Sequence, residues 1–178
     1  MTYQAVCGES TGTAIRRWVT GDTHFGHTNL QKHTRRPTDV DELIVTAWRR
    51  LIRPEDLVIH LGDVAFGHVD LPELLSTLPG RKVLVRGNHD AHTVSWYMNS
   101  GFDFASDAIL LGGIFFTHEP APVLPAGCEF NIHGHLHNNV PEAFRCYPHN
   151  RLFALEYTNY EPRQVEKFLR QSSRLTAV

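Results

Sequence analysis

The order of apolar runs and helical patterns predicts an α/β domain with a mixed sheet. Two observations carry this: strands and helices alternate in the first half, and hairpin-like strands follow in the second. A third concerns where the strands stop. "WVT", "LVIHL", "VLVR", "IFFT" and "FNI" each lead into Gly, Asp, Asn or His. Loops beyond the carboxyl ends of strands are where layered α/β folds bind ligands.

In chain order, residues 1–14 read as a loose polar lead-in, and 15–178 as one domain. "IRRWVTGD" (15–22) is a strand ending in Gly-Asp. "DELIVTAWRRLI" (41–52) has apolar residues at 43, 44, 47, 48, 51 and 52, the spacing of a helix, with Asp41 near its start, arginines near its end and Pro54 beyond. "DLVIHLGD" (56–63) is a second strand, and "LPELLSTL" (71–78) a short helix closed by Pro79-Gly80. "RKVLVRGNHD" (81–90) is a third strand, followed by a helix over 91–99 that Gly101 breaks. "FASDAILL" and "IFFTHEP" flank Gly112-Gly113 as a hairpin, and 119–127 is a proline-rich loop. "EFNIHGHLHNN" runs from strand into loop; "EAFRCYP" and "RLFALEY" read as two further strands, and "EPRQVEKFLRQ" as a closing helix with Pro162 early in it.

Composition limits the function classes. The chain has 178 residues, 42% hydrophobic and 20% charged, with a net charge of -2, so no polyanionic partner is indicated. Cys7, Cys128 and Cys146 form no C-x-x-C pair, which argues against a disulfide framework or thiolate zinc site and sets a reduced, cytoplasmic compartment as the expectation. No apolar run approaches the roughly 20 residues of a membrane span. Histidine stands out, with 12 in the chain.

Three of these lie at alternate positions, His133, His135 and His137, in "NIHGHLHNN". On a plain strand they would share a face. Collected with the other strand ends, "GDTH", "GD", "GNHD" and "TH", the polar set is Asp22, His24, Asp63, Asn88, His89, His118, His135 and His137. Carboxylate, amide and imidazole without thiolate suit a divalent transition metal: manganese is expected, with iron, zinc, nickel or cobalt as alternatives. The donors exceed what one ion needs and suffice for two that share a bridging carboxylate. Four positive charges against the two carboxylates Asp22 and Asp63 leave the cluster cationic, so a phosphate ester is the natural guest. Paired metals can activate water and polarise phosphoryl oxygens. Singly, each residue type is also ordinary at turns and caps.

In this order the five segments resemble the calcineurin-like metallophosphoesterase superfamily, with its pattern D-x-H, G-D, G-N-H-[DE], H and G-H-x-H over residues 22–137. "DTHFGHTN" is also similar to the first motif of small, single-domain predicted phosphoesterases. The resemblance implies a four-layer α/β sandwich, two mixed sheets between helices, with the site on one edge. It implies that Asp22, His24 and His137 hold one metal, that Asn88, His118 and His135 hold the other, and that Asp63 bridges. It implies that His89 is a non-ligand histidine acting as general acid or phosphoryl stabiliser, oriented by Asp90. A metal-bridging hydroxide is then the expected nucleophile.

Around this set, His27 and Asn29 could line the substrate cleft, and Arg36 could take phosphate, although Arg35 and Arg36 read first as exposed loop residues. Arg86 abuts "GNHD" on a strand, facing either the cleft or the underside of the sheet. His60 is expected buried and hydrogen-bonded; Phe25, Trp96 and Tyr97 are expected in the core. His135 and His137 are expected to reach different metals by a turn at Gly134, leaving His133 in the strand. The expected substrate is a small phosphomonoester such as a nucleoside monophosphate. The alternatives are a phosphodiesterase on small or cyclic nucleotides or nucleic-acid ends, and a metal-dependent protein-binding module on the same fold.

Overall fold

A computed structural model of the chain describes residues 14–30, 34–139 and 147–175. Cys7, His33, Cys146, nearly all of the polar lead-in and most of the expected strand 142–148 lie outside them. Strand β1 (Arg17–Thr20) pairs in parallel with β2 (Leu57–His60), β2 with β3 (Arg81–Val85) and β3 with β4 (Phe104–Ser106). A second sheet runs in the order β5 (Ala108–Leu111), β6 (Ile114–Thr117), β7 (Phe130–His133) and β8 (Asn150–Leu152). The β5–β6 pair is the expected antiparallel hairpin across Gly112-Gly113, and β6, β7 and β8 are parallel.

The first sheet is buried on both faces, as its continuous apolar strands require. Trp18, Val58 and Leu84 face helices α1 (Val40–Leu51), α2 (Leu71–Ser76) and α3 (Val94–Asn99), packing with Trp48, Leu71, Leu75 and Tyr97. One residue on, Val19, Ile59 and Val85 share a core with Ile114, Phe116 and Ile132 of the second sheet. The strand period of two therefore puts helices on one side and sheet on the other. The result is two mixed sheets with flanking helices, the fold class that the motif resemblance implies.

Four expected elements differ. "FASDAILL" is not one strand: it breaks at Asp107, so that β4 closes one sheet and β5 opens the other. "RLFALEY" is β8 followed by a 3-10 turn (Leu155–Tyr157), because Phe153 leaves the ladder after its N–H bonds the His133 carbonyl. The closing helix α4 (Val165–Leu175) starts four residues late: Arg163 and Gln164 form β9, antiparallel on the open edge of β1. Helix α3 starts three residues late, where the Thr93 hydroxyl caps it by accepting the Trp96 N–H.

Candidate metal centre

Five strands, the parallel β1, β2 and β3 of one sheet and the parallel β6 and β7 of the other, deliver their carboxyl ends to one place, and the expected ligands lie on the loops that leave them. Backbone bonds zip the first two loops together: Asp22 N–H to the Gly62 carbonyl, His24 N–H to Asp63 and Phe25 N–H to Val64, at 2.9 to 3.0 Å. The second sheet is stitched on by the Asp22 carboxylate, which accepts the His135 N–H, 3.0 Å from Oδ2. Among the described residues, only eight non-glycines have positive φ, and five are expected ligands: Asp22, His24, Asp63, His135 and His137. A left-handed backbone is costly for residues with a Cβ, and such strain collects at functional sites.

These conformations correct one expectation. The chain does not turn at Gly134 itself; His135 (φ 69°) and His137 (φ 48°) turn it. Gly134 is needed for room, since a Cβ there would stand 2.3 Å from Asp22 Oδ2. Gly87 has the same role opposite Asp63, with only 2.1 Å from such a Cβ to Oδ1.

The donors form two groups. Asp22, His24 and His137 bring ligand atoms within 4.8 Å of one another, and so do Asp22, Asp63 and His118. Tighter still, Asn88 Oδ1 lies 2.8 Å from His118 Nε2 and 3.1 Å from His135 Nδ1, and those nitrogens are 3.1 Å apart. Donors that each sit about 2.1 Å from one ion lie roughly 3 to 3.5 Å from each other, so this triad matches a small transition metal. His133 stays in β7, buried, its Nδ1 donating to the Gly134 carbonyl.

Electrostatics also fit cations. Burial pushes the Asp22 carboxyl up to about 6, against the pull of His137 and His118, and pushes the His24 imidazole down to about 2, helped by His137 and Arg36. His24 is 4% exposed, and neither ring nitrogen has a hydrogen-bond partner. A buried imidazole with two unsatisfied nitrogens is costly unless a ligand satisfies it. His118 Nδ1 donates to the Leu61 carbonyl at 2.7 Å, which fixes the tautomer that turns a bare Nε2 towards Asn88.

Some of the surrounding residues sit as expected and others do not. His60 is buried and satisfied as expected. Thr23 Oγ1 donates to the Val64 carbonyl, so His60 Nε2–H donates to Thr23, and His60 Nδ1 accepts the Gly62 N–H. Asp90 is expected to orient His89, but its carboxylate accepts N–H from Asp63, Val64 and Gly87 and faces the Tyr97 hydroxyl. It therefore aligns two loops, and reaches His89 through backbone alone. His89 is exposed at the edge, its ring 4.9 Å from Phe66 and 5.8 Å from His24. Asn29 is exposed, and His27 stacks on Phe66 at 4.2 Å beside the site. Phe25 and Tyr97 are core, whereas Trp96 is 36% exposed and stacks on His92. Arg86 bonds Asp107 and the His92 carbonyl.

Arg36 overturns the expected exposed loop arginine: it is 4% exposed and pairs with Glu156 at 2.8 Å. Glu156 is a site residue that the sequence reading missed, because it sits within an apolar run that resembles a strand. Its Oε1 is also 3.1 Å from His137 Nδ1. Burial would raise the Glu156 carboxyl, but His137 and Arg36 outweigh it and hold the group down at about 2.

The calcineurin-like phosphoesterase family profile matches residues 15–176. An uncharacterised protein of Methanocaldococcus jannaschii is 28% identical over 158 residues, covering 82% of this chain and 84% of its own length. The Gene 66 protein of Mycobacterium phage L5 is 35% identical over 80 residues, 41% of this chain and 39% of that protein. The crystal structure of a protein of unknown function from Aquifex aeolicus superposes with a TM-score of 0.71 at 27% identity, over 89% of this chain and 100% of that one. No helix among the described residues is long and apolar enough to cross a membrane.

Proposed function

Because this chain belongs to the calcineurin-like phosphoesterase family, we propose that it hydrolyses a small phosphomonoester, such as a nucleoside monophosphate, at a centre of two divalent ions. One observation supports two ions rather than one. Asp63 Oδ2 lies 3.6 Å from His24 Nε2 and 3.5 Å from His118 Nε2, one residue from each donor group. The other oxygen, Oδ1, is held by the His89 N–H at 2.9 Å, so the carboxylate is fixed with one oxygen facing both groups.

Asp22, His24 and His137 would hold one ion and Asn88, His118 and His135 the other, with Asp63 between. Bound there, the ions supply an activated water and offset charge on the phosphoryl oxygens. His89 stands free of both donor groups, where its imidazole can hold a phosphoryl oxygen and give a proton to the departing alcohol. Asp90 keeps His89 and Asp63 in register by gripping both loops through their backbone.

The edge that carries Asn88 and His118 opens into a cavity of about 380 Å³ that Arg86, Asp107, Thr117 and Glu119 also line. That space takes the organic part of a small ester. Its openness also favours a second reading, a phosphodiester whose second arm extends outwards.

Metal analysis of the purified chain, paired with hydrolysis of p-nitrophenyl phosphate, bis-p-nitrophenyl phosphate and a panel of nucleotides, tests both. We expect two ions per chain, activity lost to chelator and restored by manganese, and higher kcat/KM on monoesters. Higher kcat/KM on diesters would favour the second reading. Two bound ions without turnover on any ester would overturn the proposal in favour of a binding module.

A further inference from the structure

Three distant parts of the chain meet at one ring nitrogen. His137 Nδ1 is 3.1 Å from Glu156 Oε1, on the 3-10 turn after β8, and 3.3 Å from an Arg36 terminal nitrogen, in the loop before α1. The Glu156 and Arg36 side chains are 5% and 1% exposed. Arg36 is itself anchored, donating to the Thr23 carbonyl at 3.2 Å inside the first motif. His137 Nε2 points the other way, 4.0 Å from Asp22 Oδ1.

An imidazole whose Nε2 must offer a lone pair carries its proton on Nδ1, and that proton needs an acceptor. Glu156 is the acceptor, and the Arg36 guanidinium pairs with the same carboxylate oxygen at 2.8 Å. As a structural device the pair is weak, since replacing a buried ion pair by apolar residues is often neutral or stabilising. Behind a metal ligand it is effective: a carboxylate acting through histidine fixes the ring and raises its basicity. In the other group His118 rests on the neutral Leu61 carbonyl instead, and Asn88 is exposed.

We infer that Glu156, held by Arg36, is a positioning residue for His137 and makes the Asp22–His24–His137 site the tighter of two unequal metal positions. This rests on the reading that His137 is a metal ligand.

Stepwise titration of the metal-free chain with manganese, followed by calorimetry and by the spin-resonance signal of free Mn²⁺, tests it. Wild-type protein fills two positions, the first more tightly. Glu156→Gln weakens the first step roughly 10- to 100-fold and leaves the second in place. Asn88→Ala, which touches the other triad, weakens the second step instead and so assigns the two. If Glu156→Gln unfolds because Arg36 is left unpaired, the double variant Arg36→Met, Glu156→Leu removes both charges and must show the same selective loss. Two-step wild-type binding with superimposable variant isotherms, or equal weakening of both steps, overturns the role of Glu156 alone. Absence of manganese uptake by the wild type overturns the dinuclear reading, and this inference with it.

Discussion

At the scale of residues, the centre is built from positions that a fold optimised for stability alone would avoid. Asp22, His24, Asp63, His135 and His137 occupy the left-handed region, and His24 is buried with two unsatisfied nitrogens. Steric room is equally tight. Gly134→Ala would drive a methyl group into the Asp22 carboxylate, so its metal affinity should fall at least about tenfold, with a stability loss of about 1 to 3 kcal/mol; calorimetric titration and urea denaturation measure the two. His89 differs in kind, being exposed and outside both donor groups. His89→Ala should keep wild-type metal content while turnover falls about 10²- to 10⁴-fold on esters with poor leaving groups, and less on p-nitrophenyl phosphate. Equal losses on both ester types would assign His89 to phosphoryl binding rather than proton transfer. The candidate donors were legible in the sequence because each follows an apolar run at a recognisable spacing. Glu156 and Arg36 were not, since the partner that gives each its meaning lies 120 residues away.

At the scale of elements, the loops beyond β2 and β3 are joined by one carboxylate. Asp90 accepts N–H groups from Asp63, Val64 and Gly87, at 2.7 to 3.1 Å. Removing it leaves three N–H groups with no acceptor inside the protein, each worth about 1 kcal/mol or more when buried. Asp90→Ala should therefore cost about 2 to 4 kcal/mol in urea denaturation, and should weaken metal binding because Asp63 moves with its loop. Asp90→Asn keeps acceptors on one side only and should fall between. A variant with full stability and full metal content would refute this loop-bridging role. The motif resemblance pointed to Asp90 but expected it to act on His89; backbone hydrogen bonds leave no mark on residue identity, so the actual contacts needed coordinates. The same holds for "FASDAILL", which reads as one strand although its two halves belong to different sheets.

At the scale of the whole molecule, metal and protons should both be linked to folding. An ion that binds only the native chain stabilises it by about 2.7 kcal/mol at 100 times its Kd. For a chain of this size that raises Tm by roughly 5 to 11 °C, a shift that manganese should produce and chelator reverse. His60 sets a second dependence. Burial, with a smaller contribution from His118, pushes its imidazole down to about 3, from an ordinary 6.5. Between those values the unfolded chain binds a proton that the native chain does not, so native stability is fully present above about 6.5 and lost as pH falls towards 3. The slope is about 1.4 kcal/mol per pH unit for this one group. His60→Gln should flatten that part of the profile in denaturation measured at several pH values, and an unchanged slope would show that other groups dominate it. By itself, the sequence determined the α/β class, the strand ends and the donor residue types gathered there, because periodicity and spacing are local properties that residues carry with them. Only the tertiary structure decided that Asp63 turns one oxygen to both donor groups, that His135 and His137 part by their own left-handed turns, and that a buried Arg36–Glu156 pair stands behind His137. Those facts depend on two sheets packing face to face, which brings together side chains that no sequence window contains.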